Sequence, residues 1–199
     1  VGWNLATSVP FRNSIGMAIG DLSGKPFTKP FASPRIDRSE LSPCFSASPF
    51  VKKTSNGFEM WFAAGKSWDT SVAPPKPYYG IAHATSADGK HWSVTKDVLL
   101  PRTPQEWALA RPFVTDLEPD KMWLCFRGDN YQLGYAEKDE SARWIRQDQK
   151  ITFTPSGKDW DSTTAAYPAV IHYNEKAYLF YNGNGYGKTG IGIAEQINP

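Results

Sequence analysis

Three arginines, four asparagines and a few aromatic residues carry the groups from which a polar binding site could be built. Arg12, Arg111 and Arg127 stand beside short apolar runs that read as strands, and a guanidinium there offers a two-pronged donor to a carboxylate, a phosphate or neighbouring hydroxyls. Asn4, Asn13, Asn182 and Asn184 donate and accept at once, which suits hydroxyl-rich ligands. Tyr78, Tyr167 and Trp68 can present a flat apolar face to a ring. The alternative for all of these is that they brace one another inside the fold. Carboxylates near the same segments are Glu40, Glu106 and Asp161. A pair of carboxyl groups, one giving a proton and one acting as base or nucleophile, is what hydrolysis by general acid–base catalysis needs. Glu106 and Asp161 are the candidates for such work, and each can equally be a solvated loop residue. An ion pair between Arg111 and Asp161 would keep Asp161 ionised, so the expected proton donor is Glu106 or a residue outside this chain.

The elements that would position these groups come from an internal repeat. A Pro leads an apolar run at Pro49-Phe50-Val51, Pro112-Phe113-Val114 and Pro168-Ala169-Val170. An aromatic run follows at Met60-Trp61-Phe62, Met122-Trp123-Leu124 and Tyr178-Leu179-Phe180-Tyr181. A small-residue run comes third, at Ile81-Ala82-His83-Ala84, Leu133-Gly134-Tyr135-Ala136 and Ile191-Gly192-Ile193-Ala194. A fourth copy of that last run, Ile15-Gly16-Met17-Ala18, stands near the start. Polar turns ending in Trp92 and Trp144 open a further strand in two of the units. Four antiparallel strands per unit, joined by tight turns, is the pattern of a propeller blade. Strands are predicted at 49–53, 59–63, 80–85, 113–115, 122–126, 134–137, 169–173, 177–181 and 190–195, with each Pro opening an innermost strand where its missing N–H costs little. Trp61, Trp123 and Phe180 are expected in the core between blades.

Composition agrees with an all-β chain. Of 199 residues, 8 are Trp, 9 Tyr and 11 Phe, and Gly and Pro contribute 16 each, a mixture of strand formers and turn formers. The 22 basic and 20 acidic residues are dispersed, which argues against nucleic acid and anionic membranes as partners. No apolar run is long enough for a membrane helix. His83, His91 and His172 lack metal-ligand spacing, so no metal and no cofactor are expected. Cys44 and Cys125 sit in apolar surroundings and read as free thiols. Gly185-Tyr186-Gly187-Lys188-Thr189-Gly190 imitates a phosphate-binding loop, but a strand follows it and no helix, so it is read as a hairpin loop.

Several strings resemble a group of bacterial five-bladed β-propeller proteins related in fold to glycoside hydrolase families 43 and 32, some of them associated with surface-polysaccharide genes. They are Gly2-Trp3-Asn4-Leu5, Val9-Pro10-Phe11-Arg12-Asn13-Ser14-Ile15-Gly16, Pro77-Tyr78-Tyr79-Gly80-Ile81, Ala110-Arg111-Pro112 and the run from Tyr181 to Gly190. The resemblance implies one propeller domain over residues 1–199, present as about three and a half four-stranded blades, with a blade and a half outside this chain. It implies a carbohydrate ligand at the mouth of a central channel. No signal-peptide pattern is seen, and a cytoplasmic protein is expected. Unpaired blade edges imply a homo-oligomer if nothing else covers them. Where the resemblance would place acids on the innermost strands, this chain has Ser48, Arg111 and Tyr167. That keeps three functions open: a glycoside hydrolase-like enzyme, a carbohydrate-binding propeller without catalysis, and a scaffold module of polysaccharide metabolism.

Overall fold

A computed structural model of the chain describes residues 9–21, 23–151 and 153–196. It is nearly all β, and the chain divides into two compact units, Val1–Val98 and Leu99–Pro199.

The first unit is an antiparallel meander of β1 (Phe45–Thr54), β2 (Gly57–Asp69), β3 (Lys76–Ser86) and the short β4 (Ser93–Val94). The β1–β2 turn depends on Gly57, whose φ is 127° and whose absent Cβ would lie 2.2 Å from the Ser86 carbonyl oxygen. Only glycine tolerates both conditions. The turn after β3 closes on itself: Asp88 Oδ1 accepts the N–H groups of Lys90 and His91 at 2.8 and 2.9 Å. The Trp92 indole N–H donates to the Gly89 carbonyl at 3.1 Å. One face of β2 and β3 packs Met60, Phe62, Ala64, Ala82 and Ala84 against Ile15, Ile36 and Leu41. Trp61, on the other face, is buried as predicted. The fourth small-residue run does not form a full strand; its Ile15 makes an isolated bridge to Ile36, and Ile19 just beyond it bridges Thr28.

The second unit repeats the meander with β5 (Ala108–Phe113), β6 (Lys121–Arg127), β7 (Tyr131–Lys138) and β8 (Trp144–Arg146), then adds the three-stranded β9 (Ala166–Tyr173), β10 (Lys176–Asn182) and β11 (Ile191–Glu195). Its core gathers Leu133, Ala165, Val170, Leu179 and Tyr181, with Trp123 and Trp160 packed against them.

One strand expectation needs correction. The prolines do not open their strands; β1 and β5 begin four residues earlier and β9 two residues earlier. Each Pro sits at a bulge inside the strand. Register slips by one residue between Ala47 and Phe50, between Ala110 and Phe113, and where β9 passes from Ala166 to Ala169 opposite Asn182 and Phe180. In all three the residue before Pro is left-handed: Ser48 and Arg111 at φ 51°, Tyr167 at φ 59°. A ladder interrupted by a bulge has no use for the N–H that proline lacks. Because β5 is displaced toward its N-terminus, only Phe113 of the predicted strand at 113–115 lies in a strand, and the loop beyond is closed by the Glu118 N–H donating to Thr115 Oγ1 at 3.0 Å.

Candidate functional site

The bulges determine where the second unit places its functional side chains. A non-glycine residue in the left-handed region costs about 1–2 kcal/mol, and at Arg111 and Tyr167 that strain accompanies a clustering of unlike groups. The Arg111 guanidinium lies 4.6 Å from the centre of the Tyr167 ring. Tyr167 is held from behind, its backbone N–H donating to Cys125 Sγ at 2.8 Å. The Cys125 thiol is fully buried, and burial pushes it up to about 12; it acts here as an acceptor. Burial also raises the Tyr167 phenol above its ordinary value.

A second arginine enters from the β6–β7 hairpin, where Arg127 pairs with Tyr131 across the turn. Its guanidinium carbon stands 4.1 Å from the Trp107 ring, 4.8 Å from Tyr131 and 5.7 Å from Tyr186. Trp107 is fixed by its indole N–H donating to the Gly128 carbonyl at 2.5 Å. Tyr131 lies 5.5 Å from Tyr167 and 5.9 Å from Tyr186. Tyr167 and Tyr186 stack at 6.4 Å with 23° between their planes. The outcome is a patch of three tyrosines flanked by two arginines.

Tyr186 reaches this patch from the β10–β11 loop, where Gly185 and Tyr186 are both left-handed. Asn184 fastens the loop: its Oδ1 accepts the Thr163 N–H at 2.9 Å, the Thr163 hydroxyl at 2.9 Å and the Thr164 N–H at 3.1 Å. Its amide nitrogen donates to Ser162 Oγ at 2.9 Å. Asn182 donates to the Tyr186 carbonyl at 3.2 Å. Both asparagines therefore spend hydrogen-bonding capacity on bracing the loop that presents Tyr186.

The carboxylates are differently placed. Asp161 is buried and accepts the Tyr181 hydroxyl at 2.9 Å and the Ser156 hydroxyl. Burial, together with this bond, pushes the Tyr181 phenol up to about 12. Glu106 is also buried; it accepts the Thr103 N–H at 2.9 Å and pairs with Arg146 at 2.5 Å, and Arg146 is shared with Asp148. The expected ion pair between Arg111 and Asp161 is not formed. The Ser156 and Tyr181 hydroxyls, which lie closer, take up Asp161 instead. Glu40 is exposed.

In the first unit, Trp68 packs edge-on to Phe11 at 4.8 Å and lies 6.1 Å from Phe45, within an aromatic cluster. Arg12 is exposed near Asp37, whose carboxyl is lowered chiefly by the Ser14 hydroxyl at 2.6 Å. The Asn13 side-chain oxygen is buried without a hydrogen-bond partner. Tyr78 is half-buried on β3 opposite Ser67. Asn4 lies outside the described residues. Of the predicted binding residues, then, Arg111, Arg127 and Tyr167 are brought together. Tyr131, Tyr186 and Trp107 were missed. The one sequence signal for Tyr186 was its position between two glycines in a loop that cannot be core. Among the described residues, no three His, Cys, Asp or Glu side chains gather to hold a metal, and no helix is long and apolar enough to cross a membrane.

No family model matches the chain. The uncharacterized protein Rv1502 of Mycobacterium tuberculosis (strain ATCC 25618 / H37Rv) is 32% identical over 199 residues, covering 97% of this chain and 64% of the relative. The uncharacterized protein MT1551 of strain CDC 1551 / Oshkosh gives the same figures. The chain thus spans 64% of the length of these curated relatives. Among solved structures, one described as a glycoside hydrolase superposes with TM-score 0.63 at 19% identity, over 92% of this chain and 57% of that one. A thermostable family-43 glycoside hydrolase gives 0.62 at 14%, over 94% and 64%. Zg3597, a family 117 glycoside hydrolase of the marine bacterium Zobellia galactanivorans, gives 0.54 at 19%, over 77% and 53%. At these identities the likeness is one of fold: that of the propeller-type glycoside hydrolases.

Proposed function

We propose that this chain belongs to a glycan-recognising protein built on the glycoside hydrolase propeller fold, and that the sugar is bound on the rings of Tyr167 and Tyr186, which the buried Tyr131 supports. The observation that carries this reading is the pairing of stacked phenol rings with two guanidinium groups that form no ion pair among the described residues. Pyranose C–H faces pack on aromatic rings, and ring hydroxyls accept from guanidinium donors. The same reading takes each sheet as one blade of a five-bladed ring.

Hydrolysis is the second reading, and the likeness of fold favours it. In it Asp161 orients or acts as base and Glu106 is the proton donor. Glu106 would first have to leave Arg146, because a carboxylate locked into an ion pair is a poor acid. Calorimetric titration with a panel of oligosaccharides, alongside release of reducing ends, separates the two. Binding that Arg111→Ala and Tyr186→Ala abolish at unchanged melting temperature supports the platform. Unaltered binding in both variants would refute it.

A further inference from the structure

The charges around the tyrosine platform do not balance. Arg111 and Arg127 flank one pair of rings, Arg111 over Tyr167 and Arg127 over Tyr131, and those rings are 5.5 Å apart. The Nε of Arg127 is buried with no hydrogen-bond partner, a condition that costs a folded protein stability unless something supplies an acceptor. The carboxylates of the surrounding segments are committed elsewhere: Glu106 and Asp148 to Arg146, and Asp161 to Tyr181 and Ser156. Asp129, in the hairpin directly after Arg127, makes no ion pair among the described residues. The two guanidinium groups lie instead against aromatic ring faces, Arg111 over Tyr167 and Arg127 over Trp107, Tyr131 and Tyr186. Two guanidinium groups that lie against rings and form no ion pair among the described residues leave room for a negative charge.

Resting on the proposed platform, we infer that its ligand is an acidic glycan whose sugar carries a carboxylate, a uronate. The Tyr167 and Tyr186 rings take the apolar face of the pyranose, and Arg111 or Arg127 meets the carboxylate with its planar fork. A carboxylate matches that fork in plane with two parallel N–H···O bonds. Rings around the guanidinium groups lower the local dielectric and strengthen the pair relative to water. A neutral sugar would stack equally well and leave both charges unanswered.

The test uses matched ligands on one skeleton: cellotriose, its counterpart with each hydroxymethyl group oxidised to a carboxylate, and its sulfate ester. Galactotriose and its uronate counterpart provide a second pair. A charge-assisted bond exceeds a neutral one by enough to give about a tenfold or greater preference for uronate over neutral sugar. That preference should shrink when salt rises from about 50 mM to about 0.5 M, while any neutral-sugar affinity holds. Arg111→Gln should bring the ratio of uronate to neutral affinity toward one. Arg111 is exposed, so this variant is expected to fold; if it does not, the salt dependence of the unaltered protein decides. Equal binding of neutral and uronate sugars would overturn the acidic-glycan inference and leave the platform standing. Binding of none of them would overturn the platform itself. Tighter binding of the sulfate ester than of the uronate would overturn the choice of carboxylate.

Discussion

Glu106→Gln removes one charge from a buried network while keeping the shape of the side chain. Glu106 is 7% exposed and its partner Arg146 12%. The pair is 2.5 Å apart, Arg146 also meets Asp148, and its guanidinium lies 5.2 Å from the Phe126 ring. Asp148 Oδ1 in turn accepts the Tyr135 N–H at 2.9 Å, tying the turn after β8 back to β7. A glutamine can still accept the Thr103 N–H, but it leaves Arg146 with a single counter-charge. Breaking a buried ion pair by removing one partner costs about 3–5 kcal/mol. Asp148 remains to compensate, so the expected loss is about 2–3 kcal/mol. For a chain of this length that is a fall in melting temperature of about 5–10 °C. Thermal and urea melts measure it, and Arg146→Met with the double variant closes a cycle whose coupling should exceed about 1 kcal/mol. An unchanged melting temperature combined with loss of glycan turnover would refute the reasoning, because it would show Glu106 free for chemistry and not held as a brace.

Two further outcomes follow from the same packing. The Cys125 thiol has its folded value raised from 9.0 to about 12, so the folded state holds this proton more tightly than the unfolded chain. The stability it contributes is whole below pH 9 and is lost as pH rises toward 12. Alkylation should therefore reach half-exposed Cys44 first, and labelling of Cys125 before any unfolding is detected would contradict its burial. Gly192→Ala would set a Cβ 2.5 Å from both the Trp160 and Tyr181 rings. Overpacking of this kind costs about 1–3 kcal/mol, and a melting temperature equal to that of the unaltered protein would mean that the rings yield freely.

Much of the fold was legible because it is local. Alternating aromatic and small residues with turn formers between them gave the strand order, and burial of Trp61 followed from the same pattern. The residues before the three prolines were legible as positions, but their conformation was not. A residue before proline is normally driven to extended backbone. Here pairing with β2, β6 and β10, set by register along whole strands, forces a bulge and a left-handed residue at Ser48, Arg111 and Tyr167. The site divides in the same way. Arg127 and Tyr131 face each other across one hairpin and could be read together. Tyr186 and Trp107 join them only because separate loops fold onto that hairpin. The roles of the carboxylates lay furthest from the sequence: Glu106 meets an arginine 40 residues away, and Asp161 a tyrosine 20 residues away. Residue type fixed what each group could do, but which partner it met depended on contacts between distant segments, and in a buried setting the nearest partner determines whether a charge is free to react.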